Sequence, residues 1–100
     1  MPGAPLEKQI EKKVCDYAKS HGILCYKFVS PGNAGVPDRM FILPNGKVFF
    51  IEFKREGKQP TPLQKRVGDT IRGHNCNVYV VDSFESGLEV LAVELKHVNA

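Results

Sequence analysis

The sequence predicts an α/β fold: a mixed sheet flanked by helices, with the elements in the order αβββαβα. Three observations carry this reading. Apolar residues recur at helical spacing in the first twenty residues, after Thr61 and again near the C-terminus. Four short runs between these stretches are rich in β-branched and aromatic residues. Two of those runs are joined by Pro44-Asn45-Gly46, a turn signal that makes them neighbours in one sheet.

In chain order, residues 1–5 read as a flexible lead-in. Leu6, Ile10, Val14, Tyr17 and Ala18 then form an apolar stripe, so a first helix is expected over 6–21, stopped by a left-handed Gly22. Residues 23–29 read as a strand covered on both faces. The small-residue loop Ser30-Pro31-Gly32-Asn33-Ala34-Gly35 leads into Pro37, which lacks an N–H and should begin a strand. Its glycines either serve the turn or let a nucleic-acid backbone come close. Residues 55–60 are polar and expected to be mobile. Thr61-Pro62-Leu63-Gln64 reads as a helix start, with Thr61 as N-cap, Pro62 at N1 and Gln64 completing a capping box. Val67 and Ile71 continue that helix to Gly73. Residues 76–81 are too continuously apolar for an exposed edge strand, and Ser83 caps a last helix carrying Leu88, Leu91, Ala92 and Leu95. His21, His74 and His97 each fall beside a helix end, where they suit the C-terminal dipole better than a ligand role.

The hairpin sets the chemistry. If Pro44 and Asn45 are the central residues of a type I turn and Gly46 is left-handed, Leu43 pairs with Lys47, and counting outward puts Asp38 opposite Glu52. Period-2 alternation adds Lys54 to the same face, while Ile51 and Phe53 point away. A two-residue Asn45-Gly46 turn would shift the register by one and send Asp38 to the other face. Two carboxylates about 5 Å apart across strands repel each other, and such oxygen ligands suit Mg²⁺ or Mn²⁺ rather than zinc. The same three residues also describe an exposed strand face with an ordinary salt bridge.

One hundred residues, 42% hydrophobic and 25% charged, make a single domain of ordinary soluble composition. No run is long and apolar enough to span a membrane and residues 1–5 do not read as a signal peptide, so a cytosolic location and no membrane partner are expected. Cys15, Cys25 and Cys76 are odd in number, and separations of ten and fifty-one residues fit neither a disulfide framework nor a zinc knuckle. They read as reduced thiols, mostly in the core. The net charge of +3 is mild, but residues 54–72 carry six basic side chains against two acidic ones. This +4 window immediately after the acid pair is what a phosphate backbone beside a metal would require. A solvated loop and helix face is the plainer account of it.

Pro37-Asp38, thirteen residues, then Glu52-Phe53-Lys54 resembles the PD-(D/E)XK nuclease signature. Together with Glu7, Gly22, Gly35-Val36 and Gln64, the pattern resembles the VRR-NUC (virus-type replication-repair nuclease) branch in its stand-alone form, over residues 6 to 85. The resemblance implies a restriction-endonuclease-like αβββαβ(α) core and hydrolysis of DNA phosphodiesters with Mg²⁺ or Mn²⁺. Asp38, Glu52, the Phe53 carbonyl and Glu7 would hold one or two ions, with Glu11 in reserve for Glu7. Lys54 would neutralise charge developing on the phosphoryl group or position water. The resemblance gives Gln64 a second role near the site, besides its cap. Arg39, Lys58, Lys65 and Arg66 would grip flanking phosphates.

Stand-alone members of the family imply a homodimer, whose two-fold symmetry suits four-way (Holliday) junctions, and a bacterial, phage or prophage origin. Leu88, Leu91 and Leu95 of the last helix, or apolar residues of the first, would supply the interface. The rival readings are a flap, single-strand or restriction-type nuclease, and a non-catalytic DNA-binding module on the same fold.

Overall fold

Ile10, Val14 and Ala18 lie on one helical stripe, and all three are buried beneath helix α1 (Glu7–Ser20). The computed structural model describes Gly3 and residues 5–98, so the expected lead-in falls largely outside the described residues. After α1 come β1 (Leu24–Lys27), β2 (Arg39–Ile42), β3 (Val48–Phe53), α2 (Pro62–Arg72), β4 (Asn77–Val81) and α3 (Phe84–Lys96), the order expected from the sequence. The strands form one sheet in the order β1-β2-β3-β4. The first two pairs are antiparallel, and β3 and β4 are parallel because α2 carries the chain back between them.

The hairpin has the three-residue loop. Leu43 N–H donates to the Lys47 carbonyl at 2.9 Å, and Gly46, at φ 88°, occupies the left-handed position that a side chain would disfavour. The register then runs from Ile42↔Val48 to Arg39↔Ile51. Phe41, Phe49, Ile51 and Phe53 turn to the face packed by α1 and α3, and the Phe41 and Phe49 rings stack at 4.9 Å. Helices α1 and α3 cross closely: a Cβ on Gly87 would come within 2.4 Å of Val14 Cγ2. Helix α2 lies on the opposite face. There it meets Gly35, whose added Cβ would lie 2.9 Å from Leu63 Cγ and whose φ of 89° already excludes most side chains. That glycine serves the docking of α2 rather than the approach of a ligand backbone.

Three expectations are corrected. Strand β1 is not covered on both faces: Cys25 is buried against α1, but Leu24 and Tyr26 are 50% and 55% exposed, because α2 covers only the β3–β4 side of its face. Strand β4 is an edge strand after all. Its continuous apolar run reflects helices packed above and below it, and facial burial carries no information about the lateral edge.

In α3, Ala92 is exposed and the core position is taken by Glu94, which is 0% exposed. Its Oε2 accepts from Asn77 Nδ2 at 2.7 Å and from the Tyr79 hydroxyl at 2.6 Å, and Lys47 Nζ ion-pairs with Oε1 at 2.9 Å. Burial alone would push this carboxyl up, but these partners hold it below its ordinary value.

The three cysteines are free, with Cys15 and Cys25 buried as expected and Cys76 half-buried. Ring nitrogens of His21 and His74 lie 3.0 and 2.8 Å from the carbonyls of Tyr17 and Thr70, in the last turns of α1 and α2. The segment expected to be mobile, residues 55–60, is turned by a Lys58 N–H to Arg55 carbonyl bond and tied to Asp82 through Gly57 N–H. Among the described residues, no helix is long and apolar enough to cross a membrane.

Candidate active site

One step beyond Arg39↔Ile51, the ladder sets Asp38 opposite Glu52 on the α2 face. The two backbones hold this end of the sheet together. Phe28 N–H donates to the Asp38 carbonyl at 2.9 Å, and Phe53 N–H donates to Asp38 Oδ2 at 2.7 Å. Glu52 is only 5% exposed. Its Oε2 accepts from Gln64 Nε2 at 3.0 Å and lies 3.8 Å from Lys54 Nζ, an ion pair at the outer limit of contact.

This crowding shifts both acids. Burial, then the neighbouring Asp38 charge, pushes Glu52 up to about 7, with Lys54 opposing. Asp38 is also raised, chiefly by burial; the Phe53 N–H works against the shift, and the charges of Glu11 and Glu7 add to it. Near neutral pH, then, Glu52 is less firmly ionised than an exposed glutamate. Such a pair lacks positive charge.

The surroundings of the other candidate residues differ from one to the next. The two amide atoms of Gln64 point to different partners. Oε1 accepts from Thr61 N–H at 2.9 Å, closing the capping box, and Nε2 reaches Glu52. Glu11 is engaged with Arg39, its Oε2 2.5 Å from Nε. Glu7 is exposed at the first turn of α1, makes no ion pair among the described residues, and lies near enough to both acids to raise their pKa values. Arg39 points to the α1 face and is held there by Glu11, so the expectation that it grips phosphate is corrected: alternation along β2 puts it on the face away from Asp38. Lys58, Lys65 and Arg66 are exposed.

No protein-family model matches the chain. A curated protein, "Putative nuclease p44" of Acyrthosiphon pisum secondary endosymbiont phage 1, is 46% identical over 77 residues, which cover 77% of this chain and 83% of that protein. A solved structure described as a VRR_NUC domain superposes with a TM-score of 0.81 at 32% identity, covering 86% of this chain and 94% of its own. The chain belongs to the VRR-NUC family.

Membership gives the acid pair of this VRR-NUC domain a context, since nuclease folds commonly use divalent metals. The donor set fits a hard cation. Among the described residues no three His, Cys, Asp or Glu side chains cluster as a metal site; the two carboxylates that the hairpin brings together, Asp38 and Glu52, are both oxygen ligands. Their raised pKa values are what an uncompensated pair displays and what a bound cation would reverse. One feature of the domain was not anticipated. A cavity of about 420 Å³ lies between α2 and β4 and shares Glu52 with the acid pair. The one sequence signal for it was Gly68, a glycine in the interior of an amphipathic helix.

Proposed function

We propose that this nuclease domain hydrolyses DNA phosphodiesters in a reaction dependent on Mg²⁺ or Mn²⁺, and that it acts as a homodimer on four-way junctions. The carrying observation is the pair of opposed carboxylates, Glu52 buried and Asp38 half-buried, with Lys54 and Gln64 converging on Glu52. Asp38 and Glu52 would hold the cation, joined by the Phe53 carbonyl and by Glu7 from the first turn of α1. When bound, a divalent cation supplies a Lewis acid for a non-bridging phosphoryl oxygen and lowers the pKa of water.

The chain's own groups do the rest. The Phe53 N–H fixes Oδ2 of Asp38, and the Gln64 amide fixes Oε2 of Glu52, so each carboxylate is oriented by a hydrogen bond before substrate arrives. Lys54 lies beside the pair, 15% exposed, and places a positive charge where the phosphoryl group gains negative charge. Lys58, Lys65 and Arg66 are exposed within the basic window and bind neighbouring phosphates without regard to sequence. A retired, merely DNA-binding version of this fold would have no reason to keep a buried acid, a half-buried one and a lysine together at this cost.

The dimer reading is supported by the open part of the sheet. Leu91 is fully buried and Leu95 packs against the core, so α3 has few apolar side chains to offer a partner. Leu24 and Tyr26 on β1 are half exposed, and the register places them beside Ile42 and Met40 of β2. This apolar surface could take a second copy while leaving the acid pair uncovered at the end of the same face.

The experiment is cleavage of flap, single-strand, duplex and four-way-junction DNA with Mg²⁺ and with EDTA, together with sizing in solution. Metal-dependent paired nicks in the junction by a dimer are expected. Metal-independent binding without cleavage would refute the catalytic reading. A monomer at micromolar concentration, or single nicks with no preference for junctions over flaps, would remove the resolvase and leave a nuclease of another specificity.

A further inference from the structure

The cavity between α2 and β4 opens beside Glu52, so the nucleotide attached to a phosphate held at the acid pair would lie at its mouth. Its floor is apolar, formed by Val78 and Val80 of β4 with Pro37 and Pro60. Val80 stands directly opposite Glu52 in the ladder and remains 42% exposed, a large apolar group left open next to a buried acid. About 420 Å³ is at the small end of the range for ligand sites and ample for one base.

The wall is built from a charged group with three of its five N–H donors already engaged. Arg72 donates through Nε and Nη2 to the Val78 carbonyl, at 3.0 and 2.7 Å, and through Nη1 to Asp69 Oδ1 at 2.7 Å. A guanidinium held at three points keeps a fixed plane and offers a flat face for stacking. The Glu52 carboxyl in the same lining disfavours an anion. Polar contacts are left to the Gln59 amide and the Lys65 ammonium, both exposed side chains of the lining.

Gly68 is the independent sign that the space is kept. It is buried in the interior of α2, where glycine weakens a helix relative to alanine. Nothing in the packing demands it: an added Cβ would sit at ordinary contact distance, 3.5 Å from Arg72 Nη1 and 3.7 Å from Val78 Cγ1. Alanine is sterically allowed and would favour the helix, but its methyl would stand between the arginine platform and the valine floor.

We propose that this cavity is a base pocket, taking an unpaired nucleobase from the nucleotide next to the scissile phosphate. The pocket makes cleavage depend on a base that can leave the stack, a condition met at junctions, flaps and single strands and not in intact duplex. It rests on the nuclease reading above for the position of the phosphate.

The test walks a single stable abasic residue through the positions flanking the cut in a single-stranded and a junction substrate. Wild-type protein is expected to cut roughly tenfold more slowly with the gap at one position beside the cut, as loss of one stacked base would give, and at unchanged rates elsewhere. Gly68→Leu, which fills the cavity, should cut the intact strand at the abasic rate and be indifferent to the gap. Gly68→Ala guards against misfolding: it should melt at or above the wild-type temperature and still show reduced base dependence. Equal wild-type rates at every position, or full base dependence in both variants, would overturn the pocket. If no DNA is cut at all, the nuclease reading fails, and the pocket is read separately from binding of a 2-aminopurine-labelled single strand in EDTA. A fluorescence change present with wild type and lost in Gly68→Leu sustains the pocket, and the same change in both removes it.

Discussion

Replacing Glu52 with glutamine should stabilise the fold at alkaline pH while removing cleavage. Glu52 titrates at about 7 in the folded chain against an ordinary value of 4.5, and at 5% exposure little solvent screens it. A folded-state pKa above the unfolded one means that stability is fully present below 4.5 and is lost as the pH rises through about 7. The loss corresponds to about 3 kcal/mol, or roughly 10–20 °C in melting temperature for a domain of this size. A glutamine at this position carries no charge to desolvate and can still accept the Gln64 hydrogen bond, so Glu52→Gln should escape that loss.

The assay is thermal unfolding of both proteins in EDTA at pH 5 and pH 8.5. The difference between them, taken across the two pH values, removes what is common to both proteins. Glu94, held below its ordinary value, has the opposite sign and acts only at lower pH, so it does not contribute in this window. Adding Mg²⁺ at pH 8.5 should raise the wild-type melting temperature, because the cation binds the folded acid pair, and should leave Glu52→Gln nearly unmoved. Parallel pH profiles for the two proteins would refute the view that Glu52 is a strained, uncompensated acid.

Lys54→Ala should lower the cleavage rate about 10²–10³-fold with little change in substrate binding, measured by single-turnover kinetics, as expected for a charge needed mainly in the transition state. Lys65→Ala combined with Arg66→Ala should weaken binding to every DNA shape alike and flatten the salt dependence by about one to two ion equivalents, read from affinities across a salt series. Glu94→Ala should destabilise the domain by about 3 kcal/mol in urea unfolding, because Lys47 loses its buried partner. The folded fraction should keep its specific activity, since Glu94 lies on the opposite face of the sheet from Glu52.

What could be read from the chain alone was whatever depends on near neighbours in sequence. The three-residue turn at Pro44-Asn45-Gly46 is local chemistry, and once it is set, the alternation of two strands forces Asp38, Glu52 and Lys54 onto one face. The capping box at Thr61 and Gln64 is local in the same way. What the chain alone did not reveal depends on which elements meet in space. A run of apolar residues does not distinguish a central strand from an edge strand sandwiched by two helices, so the edge position of β4 is not legible in it.

Apolar residues 23–29 likewise do not disclose that α2 stops short of β1. Glu94 was invisible because a buried acid is tolerable only with partners from β4 and the hairpin, 17 and 47 residues away in the chain. Gln64 was legible as a cap, but that its other amide atom reaches Glu52 was decided by the docking of α2 on Gly35. The acid pair is therefore a property of one hairpin, encoded in a few residues. The pKa of Glu52, the fate of Arg39 and the cavity beside them arise only where α1, α2 and β4 close around that hairpin, because desolvation and charge act through space and not along the chain.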